Sequence, residues 1–192
     1  AFGRALMGIG FIFVGIDAIK VGFTDMGGAV DFTQLQVSGV TEILIFTAIG
    51  LLLTVVLQST HAALILTLAA LAGGQIVPEQ AFALAIGSNV GSSISTAFVG
   101  FLGSERNGQR LALAHVLFNV ITAIISLLLF LPLSALVLHA TAWVGLGDNG
   151  LIQLALFHTL FNVLGVAVFW RLQSRLAGKL KQWLPDRAEP TL

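Results

Sequence analysis

Gln58, Ser59, Thr60 and His61 stand side by side between two apolar runs, Ile43 to Leu57 and Ala62 to Ala72. Amide, hydroxyl and imidazole groups are costly in hydrocarbon. Such an interruption is stable where it is buried in protein or lines a water-filled cavity, and two half-helices meeting at a polar turn is the expected form. A kink in which hydroxyls bond carbonyls one turn back is the plainer alternative, although four consecutive polar residues exceed what a kink needs. No acid is placed to orient His61, so Ser59 and His61 are not read as a nucleophile and its base, and no catalytic residue is assigned.

A second hydroxyl-rich stretch, Ser88 to Thr96, follows a short apolar segment that begins after Pro78. It reads as a second broken segment and brings Ser88, Asn89, Ser92 and Ser93 to the candidate site. Gly87, Gly91 and Ser95 recur every four residues, so close helix packing is the competing reading, but packing alone does not call for Asn89. Two uncharged breaks supply hydroxyl, amide and freed carbonyl oxygens, a donor set suited to a hard cation such as sodium. They also supply half-helix N-termini, which bind an anion through N–H groups and the helix dipole without a buried cation. The candidate sodium ligands are Gln58, Ser59, Thr60, Asn89, Ser92 and Ser93, and the substrate site adds His61 and Ser88.

His115 with Asn119 and His158 with Asn162 repeat one spacing, an imidazole and an amide one helical turn apart. Inside a membrane such groups often join helices, so they are read as support behind the site.

These residues need membrane helices to position them. With 57% hydrophobic residues, 9% charged residues and a mean hydropathy of +0.98, the chain cannot cover itself with a wettable surface. Ile43 to Pro78, Gln80 to Ser104, Leu111 to Gly147 and Asn149 to Trp170 carry no Asp, Glu, Lys or Arg. At about 20 residues per span, 192 residues allow roughly five to seven membrane segments. Glu79, Glu105 to Arg110 and Asp148 mark surfaces or turns. A formal net charge of zero gives no electrostatic footprint for nucleic acid, and the absence of cysteine removes disulfides and thiolate chemistry.

Ala5 to Phe23 reads as a span whose Asp17 and Lys20 pair near the membrane surface, and Asp25 to Glu42 as a polar connector. Residues 1–170 form the membrane repeat, and no signal peptide is read at its start. Residues 171–192 form a juxtamembrane tail in which Arg171, Arg175, Lys179 and Lys181 alternate with leucines, as in a basic amphipathic helix on the headgroups. The positive-inside rule puts that end in the cytoplasm, and Arg106 and Arg110 suggest that their loop shares its side. Leu133 to Gly145 is open between a continued helix, a re-entrant piece and a further crossing.

Taken in order, VLQSTHAALILTLAALAGG, AFALAIGSNVGSSISTAFVGFLGS and RLALAHVLFNVITAI resemble the QSS-type, GANIGTT-like and HLLFN elements of the type II sodium/phosphate cotransporter family. GIGFIFVGIDAIKVG and LALFHTLFNVLGVAVFW extend the resemblance to nearly the whole chain. It implies an all-α polytopic membrane protein with broken, re-entrant hairpins, forming one half of an inverted-repeat transporter in a bacterial inner membrane. It also implies sodium-coupled symport of inorganic phosphate, with sodium as the coupling ion and no other cofactor. Only one QSS-type motif occurs here, so the chain reads as a fragment that pairs with a second repeat or another copy of itself. The tail resembles the linker before a cytoplasmic regulatory domain. His61 departs from the family's serine run; a neutral imidazole capping the second half-helix is preferred over one that bonds phosphate. A non-transporting membrane anchor for signalling and an anion channel are the alternative functions.

Overall fold

The computed structural model describes residues 2–25, 38–103 and 105–186, and among these every regular element is helical. The order is α1 (Phe2–Asp25), α2 (Val40–Leu57), α3 (Thr60–Ala72), α4 (Pro78–Gly103), α5 (Arg106–Leu128), α6 (Phe130–Trp143), α7 (Gly150–Phe169) and α8 (Gln173–Trp183). α2, α4, α5 and α7 are long and apolar enough to cross a membrane. Large apolar side chains such as Val56, Leu102, Leu128 and Leu131 lie on outer faces, an arrangement for contact with lipid rather than water. This is the architecture of an all-α polytopic membrane protein. α1 covers the first expected span; the side chains of Asp17 and Lys20, and residues 26–37 of the connector, lie outside the described residues.

α2 begins at Val40, earlier than the apolar run alone suggested. Glu42 falls in its first turn, where an acid suits the positive end of the helix dipole, and its Oε1 accepts a 2.6 Å hydrogen bond from Gln80 Nε2. The helix stops where Gln58 enters the left-handed region at φ 52, ψ 26. Ser59 then turns extended and caps α3, its Oγ accepting from the Ala62 N–H at 3.2 Å. The expected break at the polar tetrad is therefore a sharp turn, with α3 running back beside α2. α3 ends at Gly73 and Gly74, whose N–H groups return to the carbonyls of Ala69 and Leu71; Gly74 takes φ +69, which only glycine adopts freely. Pro78 then opens α4, where a missing N–H costs nothing.

The second expected break is absent. α4 is one continuous helix of 26 residues, and Ser88 to Thr96 lies within it. Its hydroxyls are satisfied inside the helix: Ser88 donates to Leu84 O, Ser92 to Asn89 O, Ser93 to Val90 O, Ser95 to Gly91 O and Thr96 to Ser92 O. Back-bonding of this kind lets serine and threonine sit in an apolar helix without breaking it. The small residues serve packing instead. A Cβ on Gly87 would collide with the Thr47 carbonyl and the Leu51 N–H, one on Gly91 with Leu51, and one on Gly50 with Leu84. The matching order of these contacts makes α2 and α4 parallel, in backbone contact at all three glycines.

The core gathers around α4. Phe82 stacks on Phe157 of α7 at 4.3 Å, and Phe130 and Phe161 meet the same ring edge-on or tilted. Phe118 with Phe169 and Thr122 with Gly165 set α5 antiparallel to α7. α6, at 14 residues, is a separate helix too short for a full crossing; it starts at Phe130, with Pro132 in its first turn.

Candidate functional site

The α2–α3 tip borders a cavity. Gln58 and Val55 share a cavity of about 630 Å³ with Ile94, Ser95, Thr96, Phe98, Val99 and Gly100 of α4. Ser95 lies eight residues before Gly103, so the tip sits about 12 Å short of the C-terminal end of α4, within the thickness that α4 spans. A polar turn at that depth meets the requirement that irregular backbone in a membrane line a cavity. Of the four expected tip residues Gln58 lines this cavity; Gln58 and His61 are exposed, and Ser59 and Thr60 are half-buried. At the turn the last carbonyls of α2 meet the first N–H groups of α3, acceptor and donor ends of two helices in one place.

A second polar cluster lies deeper. Asn89 Nδ2 donates to Asn162 Oδ1 at 2.9 Å, and Asn162 Nδ2 donates to the His158 carbonyl at 2.7 Å. The His158 Nε2 lies 3.2 Å from Asn89 Oδ1, which only accepts; this bond therefore requires the proton on Nε2. Asn89 is fixed from both sides by α7, and His158 stands edge-on to Phe161 at 5.3 Å.

The structure separates the other expected residues. Ser88 and Ser93 are fully buried with their hydroxyls bonded to carbonyls within α4, and neither lines the tip cavity. Ser92 is half-buried and bonded to Asn89 O. Asn119 repeats the local bond of Asn162, donating to the carbonyl of His115 at 3.0 Å, so the internal echo is a shared helix-internal bond. His115 itself faces a different cavity of about 710 Å³, bounded by α4, α5 and α8. Ser95 and Thr96 line the tip cavity but had not been assigned as ligands; they prolong the same hydroxyl run, a signal present in the sequence. Thr54, one turn before Gln58, is fully buried against Gly91 with no hydrogen-bond partner for its hydroxyl among the described residues. Its single hydroxyl in an apolar run gave no such signal.

Asn89→Ala strips partners from Asn162 Oδ1 and from the His158 ring at once. A loss of about 1–3 kcal/mol is expected, read as a lower thermal midpoint in detergent. An unchanged midpoint would show that the α4–α7 bonds carry no weight.

Proteins named "Putative inorganic phosphate export protein YjbB" from Escherichia coli K12 and Shigella flexneri are similar to this chain. Each is 26% identical over 187 residues, which cover 97% of the chain and 33% of the relative. The protein of that name from Salmonella typhimurium LT2 is 28% identical over 134 residues, 70% of the chain and 24% of its own length. The chain thus spans about a third of the length of the curated relatives it matches. No protein-family model and no solved structure matches it.

Proposed function

We propose that this chain forms part of a sodium-coupled transporter of inorganic phosphate, and that it is not an enzyme. The observation that carries the reading is the α2–α3 tip, a membrane-depth turn that opens on the hydroxyls of α4. The names of the relatives supply the substrate class. Sodium is a co-substrate held by neutral oxygens: the Gln58 amide, the Ser59 and Thr60 hydroxyls, and carbonyls at the end of α2. Phosphate is held by the N–H groups at the start of α3 and by the positive end of its dipole, with His61 at the rim. Asn89, locked by His158 and Asn162, holds α4 and α7 in register behind the tip. His115 and Asn119 support α5 rather than bind substrate.

Sodium bound first lowers the electrostatic cost of phosphate entry, and the loaded site then changes the face to which it opens. Half a site is expected from one repeat, so the complete site needs a second repeat or a second copy. The membrane is a bacterial inner membrane with the α8 end in the cytoplasm, and a regulatory domain follows the tail. The test is radiolabelled phosphate uptake into proteoliposomes holding the chain, with and without an inward sodium gradient and beside empty liposomes. Accumulation that follows the gradient is expected. Flux indifferent to sodium would replace coupling with a channel, and absence of flux with the relative's full-length architecture restored would remove phosphate transport.

A further inference from the structure

We infer that the outer edge of α8 is a docking surface for anionic glycerophospholipid headgroups. α8 follows the α7 span after a single turn, in which the Leu172 N–H bonds Phe169 O, so it starts at the membrane boundary. Its orientation is fixed from the inside. Leu180 is buried, and the nearly buried Arg110 guanidinium donates from Nε to Leu184 O at 2.9 Å while its Nη2 stands 2.8 Å from Asp186. The basic residue that faces inward therefore has its partners. Arg171, Arg175, Lys179 and Lys181 are exposed and make no ion pair among the described residues.

Uncompensated cations alone describe any solvated face. The second observation is what stands next to them. Leu172, Lys179 and Trp183 are seven and eleven residues apart, which puts them on one edge of the helix, with Arg175 beside Lys179. Leu172 and Trp183 are 40% and 56% exposed on that edge, and Trp170 at its start is 70% exposed. Large apolar and indole side chains left open beside unpaired cations suit the headgroup level. There the rings and Leu172 reach the acyl boundary, and the basic heads extend to phosphates. An acidic soluble protein would match the charge but leave Leu172 and Trp183 without reason to be open. The surface is independent of whether the chain carries phosphate.

The probe is Trp183 fluorescence in the full chain carrying Trp143→Phe and Trp170→Phe, reconstituted in phosphatidylcholine vesicles that contain brominated phosphatidylglycerol or, at equal fraction, brominated phosphatidylcholine. Each cation near an anionic surface adds about a fivefold preference, so the quenching should report at least about fivefold enrichment of the brominated anionic lipid. High salt should lower that preference. Replacing Arg171, Arg175 and Lys179 together by Gln should remove it, whereas the charge-keeping set Arg171→Lys, Arg175→Lys and Lys179→Arg should retain it. Equal quenching by the two lipids would overturn the assignment to anionic lipid. Quenching by neither would show an edge covered by protein or turned to water, and would overturn it as well.

Discussion

Gly87→Val is expected to cost about 3 kcal/mol or more and to collapse the yield of monodisperse protein. The reason is geometric. The added Cβ would lie on the Thr47 carbonyl and against the Leu51 N–H, both backbone atoms of a helix that packs along the length of α4, so no side chain can swing away. α2 would have to separate from α4, withdrawing Thr54 from Gly91 and carrying Gln58 away from Ser95 and Thr96. Gly178→Ala in α8 is the matched comparison: its Cβ meets nothing within 4 Å, and the better helix propensity of alanine should raise the thermal midpoint slightly. Equal midpoints for the parent chain and Gly87→Val would disprove the backbone contact between α2 and α4.

The same glycines show where sequence and structure part. The Gln58 to His61 interruption was legible because two long apolar runs flank it and no run of four polar residues fits a lipid-facing helix. The stretch from Ser88 to Thr96 carries more polar residues, six against four, yet α4 passes through it unbroken. The difference lies in spacing. Each hydroxyl there has a carbonyl three or four residues back, and Gly87 and Gly91 let α2 approach, so neither hydrogen bonding nor packing is improved by a break. At the tip, Gln58 takes a left-handed conformation and Ser59 caps the next helix, which a reading of polarity alone anticipates only as some kind of turn.

Long-range pairing was the least legible. Nothing local tells which of two similar imidazole–amide pairs meets Asn89; α7 runs parallel to α4, with Phe82 on Phe157 and, further along both helices, Asn89 on Asn162. His115 and Asn119 sit on α5, antiparallel to α4, and His115 faces another cavity. The amphipathic tail was legible as a helix, but its anchor was not. Arg110 lies 74 residues before Leu184, and charge patterning could suggest only that the two ends share a side.

Gln58→Gly separates the turn conformation of Gln58 from the ligand role proposed for its amide. At φ 52 a residue with a Cβ is strained by about 1–2 kcal/mol, which glycine relieves, while the freer unfolded chain offsets about 0.5–1 kcal/mol of that gain. A midpoint equal to the parent or slightly higher is therefore expected. Sodium-dependent phosphate uptake should nevertheless fall to the empty-liposome level, because the amide that faces the tip cavity is gone. Gln58→Ala keeps the strain and loses the same amide, so it should be slightly less stable than Gln58→Gly and equally inactive. Full uptake by the glycine variant would reduce Gln58 to a turn residue and move the cation ligands to Ser59, Thr60 and the carbonyls of α2. Loss of uptake in a protein at least as stable as the parent cannot be assigned to misfolding, and it would tie the side chain at the tip to the transported ion.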